Sequence, residues 1–132
     1  MTERALQAVL VAVGVFHLVF GLLALVVPDT FFDQIGRYGV ENSHYVGDVG
    51  AFYAAAGIVF LLAARHRSWR VPVLVLAAFW YGLHSINHLF DVGQARSDAR
   101  GWSDTILLAF GAAGAAWLAT VAARFDREGA GR

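Results

Sequence analysis

The chain has no cysteine and no lysine, and only 15% of its 132 residues are charged. Without cysteine there are no disulfides, thiolate metal centres, iron–sulfur clusters or thiol nucleophiles. Ten arginines balance ten carboxylates, so no basic surface is available to recruit a nucleic acid. Apolar residues take the place of the missing polarity. They make up 58% of the chain, against roughly 45–50% in an ordinary soluble domain. The length allows one domain, residues 1–132, and the charges fall between apolar runs instead of alternating with them.

A bilayer core of about 30 Å asks for about 20 apolar residues in a helix. Four stretches meet that need, at 5–27, 44–64, 70–90 and 103–123. Pro28 stops the first, and Pro72 falls in the opening turn of the third, where proline is tolerated. The first run is long and is followed by three similar ones, which reads as a retained span, not a signal peptide. The predicted fold is an all-α, integral membrane four-helix bundle. Small residues at Gly47, Gly50, Ala51, Ala54 and Gly57, and again at Gly111, Ala112, Gly114 and Ala115, predict close helix contacts in the second and fourth spans.

Orientation follows from arginine placement, because such residues favour the cytoplasmic side. Arg4, Arg65, Arg67, Arg70, Arg124, Arg127 and Arg132 fall on one side of this topology, and Arg37, Arg96 and Arg100 on the other. Both termini are therefore expected in the cytoplasm. The strong Ala, Gly, Val and Arg usage points to a GC-rich genome.

The third span ends in "YGLHSINHLFDVG". His84, His88 and Asp91 follow i, i+4, i+7 spacing with Asn87 beside them and Tyr81 one turn deeper, so they share a helix face. In the second span His44 and Asp48 are four apart, and His17 lies about 15 Å from the outer end of the first. All of these fall in the outer half of the bundle. An ionisable group inside a membrane is expensive and usually faces the bundle interior or a wet cavity. The expectation is an outward-opening pocket lined by His17, His44, Asp48, Tyr81, His84, Asn87, His88 and Asp91. Most have a plainer reading too: Asp91, His88 and His44 as solvated helix ends, Asp48 as a helix–helix tie, Tyr81 as a belt aromatic, and His17 as a satisfied core histidine.

Three chemistries fit such a set. In the first, His84 or His88 acts as general acid or base, Asp48 orients it, and Asn87 and Tyr81 donate hydrogen bonds. That set needs no cofactor and could bind a small lipophilic molecule, or act on it by hydrolysis, isomerisation or cyclisation. The second is a transition metal on His84, His88, His44 and Asp48, or a haem between His17 and His84. The HSINH spacing lacks the Glu of a zinc protease. The third is a non-catalytic subunit whose polar cluster serves assembly, as a homo-oligomer or with a membrane partner.

"GVFHLVFG", "YGVENSHYVGDVGAFYAAAG" and "SWRVPVLVLAAFWYGLHSINHLFD" resemble small bacterial four-helix proteins distantly similar to the DoxX family. The resemblance spans most of the chain and implies a four-helix membrane bundle. It also implies an association with quinone-linked oxidoreductase complexes, in which the protein is a membrane subunit. It carries over no catalytic residues.

Overall fold

Thr2 begins the first helix by accepting a hydrogen bond from the Ala5 backbone N–H at 3.2 Å, an N-cap that satisfies one of the free amides of the first turn. The computed structural model describes residues 1–130, with side chains to residue 128. Five α-helices form among the described residues: α1 Glu3–Val26, α2 Pro28–Gln34, α3 Ser43–Arg65, α4 Arg70–Phe90 and α5 Asp98–Ala130. Asn42 caps α3 by accepting from His44 and Tyr45, and Ser97 accepts from the Arg100 N–H at the start of α5. All of these helices except α2 are long and apolar enough to cross a membrane. The expected all-α bundle is what forms.

Two details differ from the sequence reading. The stretch between the first two spans carries no predicted element, yet Pro28 opens the short helix α2 there, because proline fits the first helical position as well as it ends a helix. The last helix starts at Asp98, five residues before the apolar run, and continues past residue 123. Hydropathy sees only the lipid-facing middle of such a helix.

The long helices pair: α1 runs along α3, and α4 along α5, with much sparser contact between the two pairs. The α1–α3 contact is made by glycines spaced seven apart on both helices. A methyl group on Gly57 would stand 2.5 Å from the Leu18 nitrogen, and one on Gly21 would collide with the Ala54 nitrogen. Gly14 faces Gly57 and Gly21 faces Gly50, so the helices are antiparallel with their backbones in contact. The sequence reading had placed the small-residue surfaces in the second and fourth spans only. The first span supplies Gly14 and Gly21 to the contact, whereas Gly114 of the fourth has no neighbour within 4 Å of where its Cβ would stand.

All four long helices contribute to a buried core near the termini, which includes Leu6, Leu10, Phe60, Ala63, Leu74 and Ala119. The polar lock of that end is Arg70, which is 2% exposed. Its guanidinium donates to the Ala63 carbonyl at 3.2 Å, to the Ala64 carbonyl at 3.4 Å and to Glu3 Oε1 at 3.0 Å. Arg67 also binds Glu3. Arg67 and Arg70, at the turn between α3 and α4, thus tie α1, α3 and α4 together. Around the bundle, Phe16, Phe79, Leu83, Leu107 and Phe110 are all more than half exposed, as side chains facing lipid would be.

Candidate functional site: a cleft between two helix pairs

Because the pairs touch mainly near the termini, a cleft of about 740 Å³ opens between them towards the other end. Its deep part is apolar, with Val13 and Phe16 on α1, Phe60 on α3, and Gly114 and Leu118 on α5. Its far end is polar, with Tyr38, His84, Asn87, His88, Asp91, Arg100 and Asp104. Ala77 and Asp91 both line it from α4, so it runs about 20 Å along the helices at 1.5 Å per residue. Phe60 and Ala77 separate it from a smaller, wholly apolar hollow of about 160 Å³ on the α3–α4 side.

At the polar end the loops before α3 and after α4 are joined. The Gly39 N–H donates to the Gln94 carbonyl at 3.2 Å, with Gly39 in the left-handed region at φ +60. Arg100 donates to the Ile35 carbonyl at 3.4 Å, and the Tyr38 hydroxyl donates to Asp104 at 3.1 Å. Arg100 also donates to Asp104 at 3.0 Å. Burial, then the Asp104 carboxylate beside it, pushes the Tyr38 phenol up to about 12, so it stays protonated and keeps donating. Phe31 of α2, packed edge-on against Phe20 at 4.7 Å, completes this roof.

Beneath the roof lies a pair of imidazoles one helical turn apart. His84 Nε2 and His88 Nε2 are 3.0 Å apart and share a hydrogen bond. The His88 ring meets the Tyr38 ring edge-on at 4.4 Å, and Trp80 stacks on His84. Both Nδ1 atoms are buried, and among the described residues neither has a partner. A neutral pair joined through Nε2 needs one ring to donate and the other to accept. The accepting ring then carries its proton on Nδ1 and the donating ring has a lone pair there, so the pair keeps one free donor and one free acceptor. Buried polar groups are rarely left so.

Deeper in the bundle, His17 is 1% exposed and has no free nitrogen. Its Nδ1 donates to the Val13 carbonyl at 2.7 Å, which leaves Nε2 to accept from the Tyr81 hydroxyl at 2.5 Å. Tyr53, Phe60 and Trp80 surround the ring. His17 is therefore the satisfied core histidine and sits behind the cleft wall, with Tyr81 between it and the open space.

Of the residues expected in a pocket, the structure brings together Tyr81, His84, Asn87, His88 and Asp91. It does not bring His44 or Asp48. Those two side chains are 80% and 67% exposed and lie 3.6 Å from each other, outside the cleft. The buried face of α3 is fixed by Gly50, Tyr53, Gly57 and Phe60. At 3.6 residues per turn, His44 and Asp48 point more than about 100° away from it. Asp48 thus cannot orient His84 or His88. Asp91 is held by Asn87 at 3.4 Å and Gln94 at 2.8 Å.

The same placement removes the four-ligand metal set, since His44 and Asp48 are elsewhere. Among the described residues no three His, Cys, Asp or Glu side chains gather as a metal-binding group. A haem between His17 and His84 would need a His17 nitrogen that is already bonded. Three cleft residues went unnoticed in the sequence: Tyr38, Tyr53 and Arg100. Asp104, which also lines the cleft, is likewise outside the expected set. Tyr53 could have been found from its register with Gly50 and Gly57. Tyr38 lies in a loop, where no periodicity marks it. The chain matches no protein-family model, no curated protein and no solved structure in the comparisons made.

Proposed function

We propose that this chain is a membrane protein that binds a small lipophilic molecule in the cleft between its helix pairs. The observation that carries this reading is the amphipathic character of the cleft, apolar over most of its length and ending at two imidazoles with unused hydrogen-bonding capacity. Its size falls in the roughly 300–1,000 Å³ range of small-molecule sites. The His84–His88 pair is also the group best equipped to pass a proton, because imidazole exchanges protons near neutral pH. Acid–base turnover of the bound molecule would use these two residues, with Tyr38, itself bonded to Asp104, packed on His88 from above.

The cleft end faces away from both termini. Of the nine arginines among the described residues, six sit at the terminal end, which supports a bacterial inner-membrane protein with both termini in the cytoplasm and the cleft end outside.

The test uses Gly114, which lines the cleft with nothing within 4 Å of a Cβ position. A Gly114→Phe variant should fold and fill the deep cleft. Protein extracted with its surrounding lipid should carry a stoichiometric small molecule in wild type and lack it in the variant, as seen by mass spectrometry of the extract. Equal occupancy in both proteins, or none in wild type, would sink the reading.

A further inference from the structure

We infer that the occupant of the cleft is an uncharged, single-chain amphiphile bearing a hydroxyl group, taken sideways from the bilayer, with its hydroxyl end at His84 and His88. This rests on the reading of the cleft as a binding site and narrows it in headgroup, size and route.

The headgroup follows from which polar groups are already used. At the polar end, Asp104 takes Tyr38 and Arg100, and Asp91 takes Asn87 and Gln94. Arg100, the cation at the mouth, is committed to Asp104 and to the Ile35 carbonyl. A phosphate or carboxylate headgroup reaching the remaining Arg100 N–H groups would sit beside the Asp104 and Asp91 carboxylates, which repel it. Away from the carboxylates, the groups left over are the Tyr53 hydroxyl and the two imidazoles, which together have one unused donor and one unused acceptor. A hydroxyl is the smallest group that can answer both kinds, since it donates one bond and accepts others. Both Nδ1 atoms are buried as the rings stand, so rotation of a ring about its Cβ–Cγ bond, which turns Nδ1 to the opposite edge, also gives up the Nε2–Nε2 bond, and the hydroxyl must take its place.

Size gives the number of chains. At about 30 Å³ per non-hydrogen atom, the share of one liquid water, 740 Å³ holds about 25 such atoms. A monoacylglycerol or long-chain alcohol is of that size, and a two-chain phospholipid has about twice as many. The cleft also runs parallel to the helices for about 20 Å, with its polar end at the level of the loops. A chain lying in it keeps the orientation of a lipid in one leaflet.

The route is the α1–α5 seam. Those two helices touch little, and Phe16 and Leu107, which line the cleft from either side of the seam, are 57% and 67% exposed. The end towards water is stitched by the Tyr38–Asp104, Arg100–Ile35 and Gly39–Gln94 bonds. Access from the side therefore disturbs less than access through the roof.

The test presents purified protein in detergent with five probes: 1-monooleoylglycerol, oleyl alcohol, oleate, oleoyl-lysophosphatidylcholine and octadecane. One-to-one complexes are counted by native mass spectrometry. Monooleoylglycerol and oleyl alcohol should bind wild type at least about tenfold better than the others, and Gly114→Phe should bind none. His84→Leu should weaken monooleoylglycerol by about tenfold, the loss of one or two hydrogen bonds. His84→Asn, which keeps a donor and an acceptor, should retain it. If His84→Leu does not fold, the ranking of the five probes on wild type still decides the matter. Preference for oleate or the lysophospholipid that Gly114→Phe abolishes would overturn the inference and leave the cleft reading standing. Octadecane binding as well as monooleoylglycerol would overturn the headgroup assignment. If no probe binds, the inference is overturned, and the reading beneath it falls only if co-purification also comes back empty.

Discussion

The bundle carries a polar cluster at each end, and the two differ in whether their groups have partners. Near the termini, Arg70 is buried with bonds to Glu3 and to two carbonyls. At the other end, His84 and His88 are bonded only to one another and keep two nitrogens unused. A satisfied buried cluster holds helices together, whereas an unsatisfied one carries a penalty that a ligand can relieve. The difference separates a lock from a site within one small chain, although both look alike as polar letters in apolar sequence.

The sharpest way to break the comparison is to remove the lock. Arg70→Met should lower stability by on the order of 3 kcal/mol, since it strips a buried hub of its partners. Thermal unfolding in detergent would read this, and an unchanged midpoint would mean that Arg70 holds nothing.

The histidine end should behave in the opposite way. Replacing both partners of a buried polar pair by apolar groups is close to neutral or stabilising. His84→Leu combined with His88→Leu should therefore leave the unfolding midpoint within a few degrees of wild type or raise it, while removing the co-purifying molecule. A large fall in stability would make the imidazoles part of a second lock.

The smallest effect concerns the roof. The Tyr38 phenol moves from 10.0 to about 12 on folding, so the native state holds its proton more tightly. The stabilisation is fully present below pH 10 and is lost as pH rises through about 12. In an alkaline titration followed by phenolate absorbance, subtracting a Tyr38→Phe variant from wild type should isolate one group titrating near pH 12. A difference titrating near 10 would mean that the Tyr38–Asp104 bond does not form.

How far the sequence revealed this arrangement depends on the kind of signal involved. The spans were legible because a lipid-facing helix must be apolar over about 20 residues, whatever its neighbours are. The α4 stripe was legible because i, i+4, i+7 spacing defines a face on one helix, and that face does line the cleft. Which face of α3 turns inward is decided by its contact with α1, so His44 and Asp48 shared a face that turned out to point elsewhere. Arg70 shows the same limit. A charged residue in an arginine-rich turn looks solvated until the carbonyls at the end of α3 are known to stand beside it. Tyr38 reaches Asp104 across 66 positions of chain, and no local pattern encodes that.

The glycine contact between α1 and α3 also bears on how this protein can change. Where backbone rests on backbone at Gly21 and Gly57, there is no side chain left to shorten, and even a methyl group is refused. The other wall is built differently. The place of a Cβ on Gly111 lies 3.4 Å from the Tyr81 ring, and that on Gly114 faces open space. One jaw is fixed and the other adjustable. Mutation can retune the bore of the cleft from α5 a methyl group at a time, while the opposite jaw keeps its gauge.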